Sequence, residues 1–156
     1  MLEPSTVDLN DNWRDLRAIE LYDLCATLRV HEFPIDANDG TEGLYSGEMR
    51  SGKRHGQGMM VFSSGSRAGN TYEGSWVNDK MDGFGTYIWH HWKGRSVYEG
   101  FFENNCKHGQ GKLSSWNGVH RGSWRCDRKH GMGVLVSNNV EIKGWWLNDK
   151  LIKGVG

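Results

Sequence analysis

The stretch Tyr72–Trp89, YEGSWVNDKMDGFGTYIW, contains the pattern that most of the chain repeats. Its first part alternates Tyr, Gly and Trp with Glu, Ser and Val, which is the two-residue period of a β-strand with two unlike faces. Turn-forming residues interrupt this pattern in Val77–Met81, and a second alternation begins at Gly83. The stretch therefore predicts one β-hairpin.

Copies of this hairpin follow one another along the chain. In four copies, the glycine of a Tyr-x-Gly or His-x-Gly triplet stands nine residues before a Gly-x-Gly triplet; in a fifth the spacing is ten. A period of 22 to 27 residues predicts a repeat architecture. The longer spacing, with Ile142 in the Tyr position, predicts a degenerate last copy. The predicted hairpins cover residues 45–62, 72–89, 98–115, 120–137 and 142–156.

These copies resemble the MORN (membrane occupation and recognition nexus) repeat. The resemblance covers residues 45 to 156 and rests on a Y-x-G-x-[WF] opening, as in Tyr98–Phe102, and an [HD]-G-x-G second half, as in His108–Gly111. It implies a row of β-hairpins in one antiparallel sheet, and binding or scaffolding roles; lipid binding does not follow from the repeat itself. Departures from the pattern are Met49 for Trp or Phe, His120 for Tyr, and the fifth copy.

The regular glycines have a structural explanation in such a sheet. Aromatic rings of one strand can cover the glycine backbone of its neighbour, and a side chain at a glycine such as Gly100 or Gly111 would collide with the ring. We predict a mainly β fold: a single-layer, elongated antiparallel sheet of stacked hairpins with an N-terminal α-helix. At ~4.8 Å per strand, the sheet is about 50 Å long.

An acidic leader, residues 1–40, precedes the array over residues 41–156. The leader has three Lys/Arg and nine Asp/Glu, a balance of −6, whereas the array has sixteen and ten, a balance of +6. Asn10–Asn12 can cap a helix that begins near Trp13, and Pro34 ends it. The apolar stripe of this helix consists of Leu16, Leu21, Leu24, Cys25 and Leu28.

A short amphipathic helix is marginal alone, so the stripe needs a partner. In one hypothesis, the leader packs on one end of the array or on part of its aromatic face, and the opposite net charges of the leader and the array favour this contact. In the other, the charges are two solvated surfaces and the leader binds another protein.

Composition and motifs argue against several classes of protein. The three cysteines, Cys25, Cys106 and Cys126, show neither disulfide nor zinc spacing and fit a reducing compartment. The polar start lacks a signal-peptide core, and no apolar run approaches the ~18 residues of a membrane span. We expect a cytoplasmic protein.

No catalytic constellation emerges from the sequence. The Gly-x-Gly triplets open strands instead of helices, and nucleotide, hydrolase and metalloprotease motifs are missing. His55, His108 and His130 occupy equivalent positions ~9.6 Å apart in stacked hairpins, too far to share a metal ion at ~2.1 Å. We predict no enzyme activity, no cofactor and no metal site.

Two sets of side chains are candidates for binding. Aromatic residues in equivalent positions predict a strip that contacts a partner: Tyr45, Tyr72, Trp76, Tyr98, Phe102, Trp124 and Trp146. Basic residues of the fourth copy could bind anionic lipid headgroups, an acidic peptide or the leader: Arg121, Arg125, Arg128 and Lys129. The alternative is that they are ordinary charged residues on a solvent-exposed face of a strand. Nucleic acid would need a larger positive excess.

The sequence thus predicts a scaffold that holds a helical or extended protein segment on its aromatic face, by resemblance in a cytoskeletal or ciliary assembly. One alternative is a peripheral membrane module for anionic phospholipids. Another is a regulatory module for an enzyme located elsewhere. The tip around Trp89 and Trp92 is either a contact point or, more simply, a loop that packs both rings on its own hairpin.

Overall fold

The structure, a computed structural model, describes residues 43–155 as one ten-stranded antiparallel sheet. The strands lie in the sheet in chain order, so each strand pairs with its sequence neighbours. The predicted sheet of consecutive hairpins is confirmed, whereas the predicted N-terminal helix lies outside the described residues. The strands are β1 (Gly43–Arg50), β2 (Lys53–Phe62), β3 (Thr71–Val77), β4 (Lys80–His91), β5 (Gly94–Glu103), β6 (Cys106–Ser115), β7 (Gly118–Arg125), β8 (Arg128–Ser137), β9 (Val140–Leu147) and β10 (Lys150–Gly154).

Short turns join these strands. In the turn between β3 and β4, Asn78 and Asp79 have φ of 48° and 69°, as in the type I′ turns whose twist matches that of the flanking strands. The connection between β2 and β3 is longer and contains a 3-10 helix, Gly65–Arg67. β4 and β5 extend through the tip around Trp89 and Trp92 and pair down to His91 and Gly94, so no long loop separates them.

A β-bulge in the second strand of each of the first four hairpins explains the first glycine of the Gly-x-Gly triplet. In the third hairpin, Gly100 pairs with Gly111 and Phe102 pairs with Lys107, so β6 has extra residues in this interval. Gly109 lies among them with φ of 62°, a backbone conformation that glycine adopts without steric cost.

The second glycine of the triplet belongs to a row that crosses the whole sheet, and in the fifth hairpin the first triplet glycine, Gly154, takes this position. A Cβ added to Gly111 would lie 2.5 Å from the Tyr98 ring, which confirms that rings cover glycines. A Cβ added to Gly100 would lie 2.5 Å from the Gly111 Cα, so backbone also limits the space there. The row has one glycine per strand: Gly47, Gly58, Gly74, Gly85, Gly100, Gly111, Gly122, Gly133, Gly144 and Gly154.

Candidate functional site

The seven aromatic residues predicted to contact a partner lie on one face of the sheet and are only 0 to 6% exposed. They pack edge to face across the hairpins; the Tyr98 centroid, for example, lies 5.1 Å from that of Phe102 and 5.4 Å from that of Trp124. We call this set, with His120, the aromatic ladder, and its side of the sheet the ladder face. The ladder is the core of the sheet, and its use by a partner stays a prediction.

Hydrogen bonds fix the ladder rings in place. The hydroxyl of Tyr98 donates to the carbonyl oxygen of Phe101 at 3.0 Å, and Tyr45 and Tyr72 make the equivalent bonds. Burial raises the pKa of Tyr45 to about 12, so its hydroxyl remains a donor at neutral pH. The indole of Trp124 donates to the carbonyl oxygen of Gly111 at 3.2 Å.

The ladder is less complete near the C-terminal end. His120 occupies a Tyr position and is buried, but neither ring nitrogen has a hydrogen-bond partner within residues 43–155. Burial lowers the pKa of His120 to about 4. The indole nitrogen of Trp146 also lacks a partner in the described part of the chain. At His120 and Trp146 the ladder therefore lacks the hydrogen bonds that the Tyr98 and Trp124 rings make.

Cations cover several ladder rings. The Arg54 guanidinium carbon lies 4.4 Å from the Trp76 centroid, and the Lys129 ammonium lies 5.0 Å from that of Trp146. Such cation–π contacts contribute about 0.5–2 kcal/mol. Lys129, predicted as an anion contact, thus lies on the ladder face and has a structural partner there.

Reciprocal hydrogen bonds, which we call turn clasps, connect each hairpin to the next. The backbone amide of Lys107 donates to Oδ1 of Asp127 at 2.9 Å, and the amide of Asp127 donates to the carbonyl oxygen of Lys107 at 3.0 Å. The sequence signal for a clasp is an Asp or Asn in the second turn position, which we did not predict to bond across hairpins. The same clasp joins Arg54 to Asp79, Met81 to Asn105, and Lys129 to Asp149.

The structure divides the predicted basic set into separate groups. Arg125 and Arg128 face each other across the β7–β8 turn and, with His130, line a surface cavity of about 490 Å³. Arg121 lines a different cavity of about 330 Å³ together with Lys143. Only the first group combines two guanidinium groups in one place.

The face opposite the ladder, here called the reverse face, carries exposed apolar residues that were not among the predicted binding residues. Phe84 pairs with Phe101 at a centroid distance of 5.5 Å, and the two are 50% and 49% exposed. Met132 pairs with Trp145 in the same row of the sheet, and these two side chains are 42% and 48% exposed. Two hydrogen-bonded polar pairs complete the row, Gln57–Ser75 and Gln110–Ser123.

The two tryptophans of the β4–β5 tip behave differently. Trp89 packs on Tyr87 with ring centroids 4.4 Å apart, whereas Trp92 is 90% exposed, so the alternative in which both rings pack on their own hairpin holds for Trp89 alone. The Lys93 ammonium lies 4.8 Å from the Trp92 centroid and 4.5 Å from that of Trp116. The tip therefore exposes one aromatic ring and covers the other.

Histidine and cysteine residues of the array show local contacts. His108 Nδ1 lies 3.0 Å from a Glu103 carboxylate oxygen, and Cys106 and Cys126 are unpaired thiols. Among residues 43–155, no three His, Cys, Asp or Glu side chains converge as metal ligands. The same residues contain no helix with the length and hydrophobicity of a membrane span.

Four segments of the chain match the family model of the MORN repeat: residues 45–67, 72–90, 98–118 and 120–139. The chain belongs to the MORN repeat family. It is 37% identical over 70 residues to MORN repeat-containing protein 3 of Xenopus laevis. The match spans 43% of this chain and 28% of that protein, less than a third of its length. The fifth hairpin lies beyond the matched segments, in agreement with its degenerate sequence.

Proposed function

We propose that this MORN-repeat array is a non-catalytic scaffold that binds a protein segment, without a cofactor. The observation that carries the proposal is the row of exposed Phe84, Phe101, Met132 and Trp145 on the reverse face. Aromatic residues and Met are enriched in protein interfaces. A cytoplasmic cytoskeletal or ciliary assembly, with the leader as a helix, is the setting in which we propose that it works.

The spacing of the two apolar pairs restricts the partner. The Phe84–Phe101 pair lies on β4 and β5 and the Met132–Trp145 pair on β8 and β9, four strand spacings apart, or about 19 Å. An α-helix covers this distance in about 13 residues, at 1.5 Å per residue. The partner segment should therefore present two apolar clusters separated by a polar centre that fits Gln110 and Ser123.

Paired substitutions on the reverse face test this proposal. Phe101→Ser with Trp145→Ser should reduce capture of the partner from the source cells at least tenfold, by quantitative affinity purification, since both apolar clusters are lost. Gln57→Ala with Ser75→Ala is the matched control, because this polar pair belongs to the same row but lies outside the interval between the two apolar pairs. Circular dichroism checks that both variants keep the sheet.

The outcomes separate the two faces. If the Phe101→Ser/Trp145→Ser variant captures the same protein as the wild type, the reverse face is not the contact, and the seven ladder rings remain the predicted one. If the wild type enriches no protein over a bead control, the scaffold proposal fails.

A second candidate function is recognition of anionic phospholipid headgroups. The Arg125–Arg128–His130 cavity favours it, since two guanidinium groups suit a phosphate. Vesicles with and without phosphatidylserine should then differ in co-sedimentation, and Arg125→Gln with Arg128→Gln should abolish the difference. Lys53→Gln is the control, and equal sedimentation of both vesicle types would reject lipid binding.

Regulation of an enzyme elsewhere is a third candidate. Because the relative is much longer than the matched region, an enzyme on a longer chain or another subunit is compatible with this array. Co-purification of a catalytic subunit in the same affinity experiment would favour this function over a passive scaffold.

A further inference from the structure

One row of side chains on the reverse face is buried over its N-terminal half. Leu44, Val61, Thr71 and Ile88 pair in register on β1 to β4 and are 6, 2, 0 and 2% exposed. They alternate with the ladder residues, so they point away from the ladder face. Another part of the protein must therefore cover these four side chains on the reverse face.

The same row is more exposed over its C-terminal half. It continues in register through Val97, Ser114 and Val119 to Val136, which is 38% exposed. Val136 has the same apolar character and the same position relative to the glycine row as Val61. Neither the residue type nor the position in the pleated sheet thus explains why Val61 is buried and Val136 is exposed.

No described element lies over the buried part of the row. Within residues 43–155, the extensive contacts between strands join sequence neighbours in one sheet. The longer connection from β2 to β3 lies on the ladder face, because Phe62 stacks on Tyr87 at 5.8 Å and Asn70 donates to the Tyr87 hydroxyl at 3.3 Å.

We propose that the leader, residues 1–40, is the cover, and that its apolar stripe packs on the row from Leu44 to Ile88. The row crosses four strands, about 14 Å. A helix from Leu16 to Leu28 would be about 18 Å long, which matches the row and leaves Val136 uncovered. The leader also joins the sheet at β1, where the row begins. This position differs from the end or the ladder face, where the sequence alone placed the leader.

Two substitutions in the same row test the position of the leader. Trypsin can cut the leader at Arg14, Arg17 and Arg29, so its cleavage rate in the full chain reports docking. Ile88→Ser should speed cleavage at these arginines at least fivefold, because it removes apolar contact with the stripe, whereas Val136→Ser should leave the rate unchanged. Equal effects of the two variants would overturn the proposal.

A substitution in the leader keeps the test independent of sheet stability. Leu21→Asp with Leu24→Asp should speed leader cleavage to the same extent while residues 43–155 stay resistant. Cleavage of the wild-type leader at the same rate as in this variant would show that the leader is not docked.

Cross-linking locates the contact directly. In a chain with Cys106→Ser and Cys126→Ser, Thr86→Cys, which is partly exposed and lies beside Ile88 on the reverse face, should form an intramolecular cross-link with Cys25 through a short bismaleimide, and Val136→Cys should not. A cross-link at position 136, or at neither position, would contradict the proposed binding position of the leader.

Discussion

In the first four hairpins, the two glycines of the Gly-x-Gly triplet serve different purposes. Gly109 takes the positive φ of the bulge, whereas Gly111 leaves room for the Tyr98 ring. A substitution at either position is therefore harmful for a different reason, backbone strain in the first case and steric overlap in the second.

The loss of stability caused by a substitution in the glycine row should depend on which atoms the added side chain would meet at that position. Gly100→Val and Gly111→Val should each destabilise the protein by about 2 kcal/mol or more, because the added side chain overlaps the Tyr98 hydroxyl at both positions and the partner strand at Gly100. Gly154→Val is the matched control, since a Cβ at Gly154 meets no atom within 4 Å. Thermal and urea unfolding measure the effect, and equal losses at Gly111 and Gly154 would contradict the ring-on-glycine account.

His120 should make stability depend on pH. Its pKa is lowered by burial from 6.5 to about 4, so the unfolded chain binds more protons between these pH values. The stability that neutral His120 contributes is fully present above about pH 6.5 and falls by about 3 kcal/mol as the pH is lowered toward 4.

His120→Tyr should raise stability and remove this part of the pH dependence. The tyrosine hydroxyl regains the backbone hydrogen bond made in the first three copies, about 1 kcal/mol. Urea unfolding at pH 7.5 and pH 5 compares the two chains, with exposed His91→Gln as control. An identical pH dependence in His120→Tyr and wild type would show that His120 is not the group responsible.

At the scale of the hairpin, turn chemistry limits stability in the fourth copy. Cys126 has φ of 47° in the first position of the β7–β8 turn, where four other turns have Asn. Asn tolerates this conformation better than Cys, so Cys126→Asn should stabilise the protein by about 0.5–1 kcal/mol. Asn104→Cys, the reverse change, should destabilise it similarly, and unfolding midpoints that move in any other direction contradict this account.

The turn clasp should depend on an acceptor atom and not on charge. Asp127→Ala removes the acceptor of the Lys107 amide and should cost about 1 kcal/mol. Asp127→Asn keeps an acceptor, as Asn105 does in the preceding clasp, and should be nearly neutral in denaturant titrations. Equal losses in both variants would assign the effect to the ion pair between Asp127 and Lys107.

The sequence was informative where one hairpin determines its own structure. The alternation in residues 72–89 and the turn at Asn78 predict a hairpin without reference to its neighbours, and both were found. The turn clasps and the Phe84–Phe101 pair join different hairpins, so they depend on a register that a single copy does not specify. Ladder burial was underestimated because the edge-to-face packing of successive rings became visible only once the sheet was assembled.

At the scale of the whole array, stability should follow nearest neighbours. Ladder rings, cations and turn clasps connect each hairpin only to the next, as in other repeat arrays. These contacts are weakest at the C-terminal end of the array. Every described residue of β10 is exposed, and the Trp146 indole has no hydrogen-bond partner within residues 43–155. Local opening should therefore begin at β10.

Hydrogen exchange of the full chain should show this gradient. We expect backbone amides in β10 to exchange first, those of β9 and β8 next, and those of β3 to β6 last, because each hairpin is held by the preceding one. A chain that ends at Asn139 should keep its first three hairpins folded, with faster exchange moved into β8. Mass spectrometry of both chains measures this. Uniform protection across the array, or global unfolding of the shorter chain, would show that the sheet folds as one cooperative unit instead.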